Sequence, residues 1–196
     1  MIYLNDHIEE INVEQALSVV SEQRRQYALH YRQQQDRRLS LAVYLLLCKA
    51  LKTEYGITKP PEFTFGPHGK PTLRDHPDIH FNLSHCPRAA LCVVSDQPVG
   101  CDIECVPAEL DMDLCRYCCT DEETAAILAS DNPTLAFTEL WTKKEALLKL
   151  RGDGLSKELP SLLSSRLADD VTFQTYFAAD LSYLYTVCRH SAFEAR

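Results

Sequence analysis

Near the middle of the chain a nearly continuous apolar run, Ala89–Ser95, meets the turn sequence Asp96-Gln97-Pro98 and gives way at once to Val99-Gly100-Cys101-Asp102-Ile103-Glu104-Cys105. Bounded by turn residues and rich in branched side chains, the two runs read as strands, and the short turn predicts that they pair. The flanks are helical. Residues 13–31 read as one polar-rich helix, and residues 34–51 as a second, with Leu39, Val43, Leu46, Leu47 and Ala50 on one stripe and Gly56 as its stop. Short extended pieces are expected at Phe63–Phe65 and at residues 79–83. On the C-terminal side, Thr120-Asp121-Glu122-Glu123 has the form of a capping box. Asn132-Pro133 opens a helix that reaches about Leu150, and residues 171–177 and 183–188 alternate like half-buried strands. The pattern predicts an α+β fold, with helices and mostly antiparallel strands in both halves.

A chain of 196 residues fits one domain or two small halves. Its 20 Lys and Arg against 28 Asp and Glu give a net charge of -8, which argues against a nucleic-acid partner, because phosphate neutralisation needs a basic face. An anionic ligand would need a local basic pocket. The most apolar stretch, residues 39–48, is too short to span a bilayer, and the first ten residues lack a basic and apolar leader, so the expectation is a cytoplasmic protein with no membrane partner. The cysteine count, 9, is odd and lacks a paired CxxC pattern, which disfavours a disulfide framework.

Three stretches carry chemistry. In Val99–Cys105 strand alternation puts Cys101, Ile103 and Cys105 on one face and Asp102 and Glu104 on the other. Two carboxylates at i and i+2 suit a hard cation such as Mg²⁺, or else form a solvated strand face, on which Asp102→Ala would leave the fold intact. In Trp141-Thr142-Lys143-Lys144-Glu145-Ala146-Leu147-Leu148-Lys149, residues Glu145 and Lys149 stand one helical turn apart, either as a surface salt bridge or as a carboxylate and ammonium working on a phosphate. In Asn82-Leu83-Ser84-His85 a hydroxyl and an imidazole at the end of a strand could receive an anion. The loop Gly66-Pro67-His68-Gly69-Lys70-Pro71 presents one lysine, and Arg24, Arg25, Arg37 and Arg38 offer further cations.

In this order and spacing, Gly69-Lys70-Pro71, Asn82-Leu83-Ser84-His85, Gly100-x-Asp102-Ile103-Glu104 and Trp141-x-x-Lys144-Glu145-x-x-x-Lys149-x-x-Gly152-x-Gly154-Leu155 resemble the 4'-phosphopantetheinyl transferase superfamily. The resemblance is to its long, pseudo-dimeric, surfactin-synthetase-activating type. It implies two similar α+β halves with the active site in the cleft between them: residues 1–98 for coenzyme A and residues 99–196 for the metal and the chemistry. The implied reaction moves the phosphopantetheine arm of coenzyme A to a serine of an apo acyl or peptidyl carrier protein and releases adenosine 3',5'-bisphosphate. The family's metal-binding carboxylates fall on Asp102, Glu104 and Glu145, with Mg²⁺ as cofactor. Glu145 and Lys149 fall on catalytic positions, and Lys70, Ser84 and His85 on coenzyme-contacting ones. Three positions depart from the family pattern. Cys86 replaces a serine, Asp153 replaces a lysine, and the N-terminal lysines that the family places near the coenzyme's 3'-phosphate are shifted or replaced by Arg24 and Arg25.

A monomer is expected. The alternatives are a non-catalytic coenzyme A or nucleotide-binding module, and a zinc or redox protein built on Cys115, Cys118 and Cys119. The net charge of -8 matters for the carrier, which in this family is itself acidic, so its contact must be local and apolar. Met112, Leu114, Tyr117 and Cys118 either make that contact, since the equivalent region in the family borders the carrier, or simply form the core face of a helix.

Overall fold

The computed structural model describes residues 1–152, 159–164 and 168–191. The chain divides into two compact units, Met1–Val99 and Gly100–Arg196.

In the first unit the antiparallel strands β1 (Ile2–Asn5), β4 (His80–Cys86) and β5 (Ala89–Ser95) form a sheet in the order β1-β5-β4. Strand β5 is buried along nearly its whole length and has partners on both sides: Leu91 pairs with Leu4 and with Ser84, and Val93 with Ile2 and with Asn82. Helix α3 (Gln34–Tyr55) covers the sheet with the expected stripe, and Leu47, Ala50 and Leu51 are fully buried against Phe81, Cys92 and Val94. Gly56 caps it in the left-handed conformation at φ 67°, where a Cβ would be strained. A small hairpin pairs β2 (Phe63–Phe65) with β3 (Pro71–Leu73).

Two expectations fail here. Residues 13–31 are not one helix but two, α1 (Val13–Val19) and α2 (Glu22–His30). The break comes at Ser21, whose hydroxyl caps α2 by accepting from Arg24 N and is held by Tyr44 Oη at 2.9 Å. The turn at residues 96–98 does not make a hairpin either. Strand β5 has both edges filled by β1 and β4, so β6 (Val99–Cys105) joins a different sheet.

That sheet belongs to the second unit and has the order β6-β8-β7, with β7 (Val171–Phe177) antiparallel to β8 (Tyr183–His190). Helices α4 (Met112–Cys118), α5 (Asp121–Leu128) and α6 (Pro133–Arg151) precede β7, and the capping box at Thr120 forms as read, with Glu123 N donating to Thr120 Oγ1 at 3.1 Å and Thr120 N donating to Glu123 Oε2 at 3.0 Å. Phe137, Leu147, Leu150, Leu162 and Cys188 lie in the core of this unit. No described helix is long and apolar enough to cross a membrane. All nine cysteines are thiols rather than disulfides.

Candidate functional site

Gly100 sets the geometry of the second unit's site. A Cβ at this position would lie 2.0 Å from Ala146 O and 2.4 Å from Leu150 N, so only glycine lets α6 rest directly on β6. The acidic face of β6 then looks at the helix. Lys149 Nζ donates to Asp102 Oδ1 at 2.6 Å, and Trp141 Nε1 donates to Glu104 Oε1 at 3.4 Å. Asp102 is 2% exposed, which overturns the picture of a solvated strand face. Removing it would leave the Lys149 ammonium without its carboxylate in a site partly withdrawn from water, and Asp102→Ala must therefore cost stability.

The charges crowd one another. Burial, and then the Asp102 carboxylate, push Glu104 up to about 7 in spite of the Trp141 hydrogen bond and the Lys149 charge. The same two causes raise Glu145, and Lys149 opposes them. Desolvation alone would lower Lys149, but Asp102, with smaller help from Cys101 and Glu145, more than reverses this and holds the ammonium above its ordinary value. Asp102, Glu104, Glu145 and Lys149 are thus one electrostatic group, in which the closest cation–anion contact runs from helix to strand rather than along the helix. Among the described residues no set of three His, Cys, Asp or Glu side chains is arranged as a ready metal cage. Asp153, Gly154 and Leu155 of the glycine motif lie outside the described residues.

In the first unit, Arg24, Tyr27, Tyr31, Ser40, Val43, Leu83 and His85 line a cavity of about 180 Å³. The Arg24 guanidinium sits 5.0 Å from the Tyr27 ring centre and 5.3 Å from that of Tyr44, and it donates through one terminal nitrogen to the Ser40 carbonyl. Burial lowers the Arg24 pKa, and the three neighbouring tyrosines, Tyr27, Tyr31 and Tyr44, offset only part of that. Arg24 Nε and Ser40 Oγ are buried with no hydrogen-bond partner among the described residues. An anion in the cavity would take both donors, and each would otherwise carry an uncompensated desolvation cost of about 1–3 kcal/mol.

The five coenzyme candidates separate accordingly. Arg24 and His85 share the cavity. Arg25 points to solvent near Glu22, at 4.0 Å. Strand β4 continues through Cys86, so Ser84 lies on the face opposite His85 and is not among the cavity residues. Lys70 is at the β2–β3 turn, where Gly66 N donates to its carbonyl at 3.0 Å. Ser40, Tyr27, Tyr31 and Tyr44 escaped the sequence reading because nothing in their spacing marks them. Gly100 carried a legible signal, a glycine inside a strand. So did Lys144, a charge set four residues before Leu148 on the apolar side of α6.

The cysteine cluster is packed into the protein. Cys115, Cys118 and Cys119 lie in the unit's core, and the Cys118 carbonyl accepts from Lys144 Nζ at 2.7 Å, so a built-in ammonium already stands there. Of the four carrier-contact candidates Cys118 is buried and Met112 half-buried, whereas Leu114 and Tyr117 are exposed, Tyr117 by 72%.

Residues 98–191 match the family model of the 4'-phosphopantetheinyl transferase superfamily. The 4'-phosphopantetheinyl transferase Sfp of Bacillus subtilis (strain 168) is 30% identical over 172 residues, which cover 86% of this chain and 76% of Sfp. The transferase psf-1 of Bacillus pumilus is 32% identical over 172 residues, 85% of this chain and 72% of its own. For the transferase gsp of Aneurinibacillus migulanus the figures are 34% over 143 residues, 70% and 58%. The family model takes in the whole of β6, α6 and their seam, and the relatives extend the similarity through most of the first unit, so the chain belongs to the 4'-phosphopantetheinyl transferase superfamily and to its Sfp-like members.

Proposed function

We propose that the protein transfers the 4'-phosphopantetheine moiety of coenzyme A to a serine hydroxyl of an acyl or peptidyl carrier protein and releases adenosine 3',5'-bisphosphate. The observation that carries this reading is the seam itself: a lysine and three carboxylates gathered between β6 and α6, with Lys149 in contact with Asp102 at 2.6 Å.

The donor set fits Mg²⁺. Asp102, Glu104 and Glu145 offer only hard carboxylate oxygens, and Mg²⁺ is commonly held by one or two carboxylates plus substrate phosphates, which needs no complete protein cage. When bound, the ion supplies charge neutralisation to the phosphate oxygens. Lys149, held protonated by Asp102, neutralises charge that builds on the departing bisphosphate. Glu145 shares two duties in this reading, as a carboxylate offered to the ion and, directly or through a water, as the acceptor of the carrier serine's proton. In the first unit Arg24, Ser40 and His85 hold a phosphate of the coenzyme, with Lys70 and Ser84 as further coenzyme contacts. Leu114 and Tyr117 on α4 offer the carrier an apolar contact that long-range charge does not provide. The protein acts as a monomer in the cytoplasm, in keeping with its reduced cysteines.

The test is intact mass. Apo-carrier incubated with the protein, coenzyme A and Mg²⁺ gains one phosphopantetheine, and the gain disappears with a chelator. A panel of apo-carriers that all keep their starting mass, while coenzyme A still binds the protein, would leave a binding module instead.

A further inference from the structure

Lys144 stands beside Glu145 in the sequence but not in the site. It is 1% exposed, and its Nζ donates to three acceptors from three different segments: Cys118 O at the end of α4 (2.7 Å), Glu123 Oε2 in the first turn of α5 (2.6 Å) and Pro160 O beyond the C-terminus of α6 (2.7 Å). An ammonium has three protons, and all three are used. Glu123 is the N3 residue of the α5 capping box and also accepts from Thr120 N, so one carboxylate binds both the start of α5 and the middle of α6. A cation this deeply buried is expensive unless fully paired, and here its partners come from three separate segments packed near α6.

We infer that Lys144 is a positioning residue: it fixes the rotation and depth of α6 against α4, α5 and the Pro160 segment, and thereby seats Trp141, Glu145 and Lys149 over β6 without touching the substrate. Different flanks of α6 are involved: Trp141 lies about 60° round the helix from Lys144, and Lys149 about 140°. Lys144 faces the core contacts with α4 and α5, while Trp141 and Lys149 reach Glu104 and Asp102. Small rotations at Lys144 therefore become displacements of the ammonium at Lys149. The rate consequence rests on the proposed transfer reaction, but the seating of α6 does not.

The test uses Lys144→Met and the double variant Glu123→Gln/Lys144→Met. Glutamine keeps the capping box while removing the carboxylate that the first variant leaves without its cation. Three quantities are read: the melting midpoint, the emission of Trp141, the single tryptophan of the chain, and steady-state kinetics. Lys144→Met lowers the midpoint, and the double variant recovers part of it. In both variants Trp141 emission shifts, and turnover falls at least about tenfold, as displacement of a catalytic group by a fraction of an ångström does. KM for coenzyme A stays within about twofold, and the shape of the pH–rate profile does not change. Recovery of emission and turnover together with the midpoint in the double variant would reduce Lys144 to a stability role. Wild-type turnover in Lys144→Met, an altered pH profile, or failure of both variants to fold would overturn the inference as well. Should the wild type transfer nothing, the reading of function fails while Trp141 emission still decides the seating of α6.

Discussion

Arg24 and Lys149 are both cations held close to candidate chemistry, and their surroundings differ in kind. Arg24 is flanked by the rings of Tyr27 and Tyr44, gives one bond to a backbone carbonyl, and keeps Nε without a partner among the described residues. Lys149 faces Asp102 directly, with Glu145 one turn away and Glu104 two residues along the strand. Aromatic faces orient a guanidinium without consuming its charge, so the first unit's cavity keeps positive potential for a ligand. A carboxylate at 2.6 Å consumes most of a lysine's charge, so the second unit's seam holds its cation in readiness and relies on incoming charge to redistribute it. The first arrangement suits binding and the second suits a change of charge during a reaction.

The largest expected effect removes the seam altogether. Gly100→Ala forces its Cβ onto the α6 backbone, and the second unit should lose more than about 3 kcal/mol in chemical denaturation, because no side chain can move aside to relieve a contact with main chain. Next comes Lys149→Ala, for which single-turnover transfer should slow by about 100-fold or more, with coenzyme A affinity little changed. Equal losses in rate and in affinity would show that the two regions do not divide the work as described.

A pH series sharpens the contrast without touching catalysis. Glu104 is lifted from 4.5 to about 7 by burial and by Asp102, against Trp141 and Lys149, with Cys105 adding a little. Between these values the folded chain keeps a proton that the unfolded chain has lost, so metal-free stability is greatest below about pH 4.5, falls as the pH rises to about 7 and is then level in this respect. With allowance for partial exposure the change is about 2 kcal/mol, and Glu104→Gln should abolish it in urea titrations. The smallest effect belongs to the first unit. Arg24→Lys keeps the charge and loses the planar fork, and should raise KM for coenzyme A about tenfold with kcat within twofold, while shrinking the preference over dephospho-coenzyme A. Arg25→Lys should change neither.

What the sequence made legible follows from how far each signal reaches. The alternation in β6, the stripe of α3, the Thr120 capping box and the start of α6 at Asn132-Pro133 are local patterns, and all stand in the structure. The pairing of β5 with β6 failed because strand choice depends on who else competes for an edge, and β1 lies more than eighty residues away. The choice between Arg24 and Arg25 needed the break at Ser21, which resets the helical phase of α2 and turns one arginine inward and its neighbour out. Ser40 was invisible for a related reason. It is a polar residue inside a buried stretch of α3, and only the cavity beside it gives its hydroxyl a purpose.

The edge pairing of β5 also sets a timetable for biosynthesis. Ile2–Asn5 is made well before its hydrogen-bonding partner, residues 90–93, which follows only after most of the first unit has been translated. Until then the nascent segment is an open edge looking for a strand, exposed to wrong partners and to holding chaperones. Once β5 arrives between β1 and β4, the sheet closes with no vacancy for β6. The strand that bears Asp102 and Glu104 therefore waits for β8, residues 183–190, before it is paired, so its own sheet is completed only after that of the first unit.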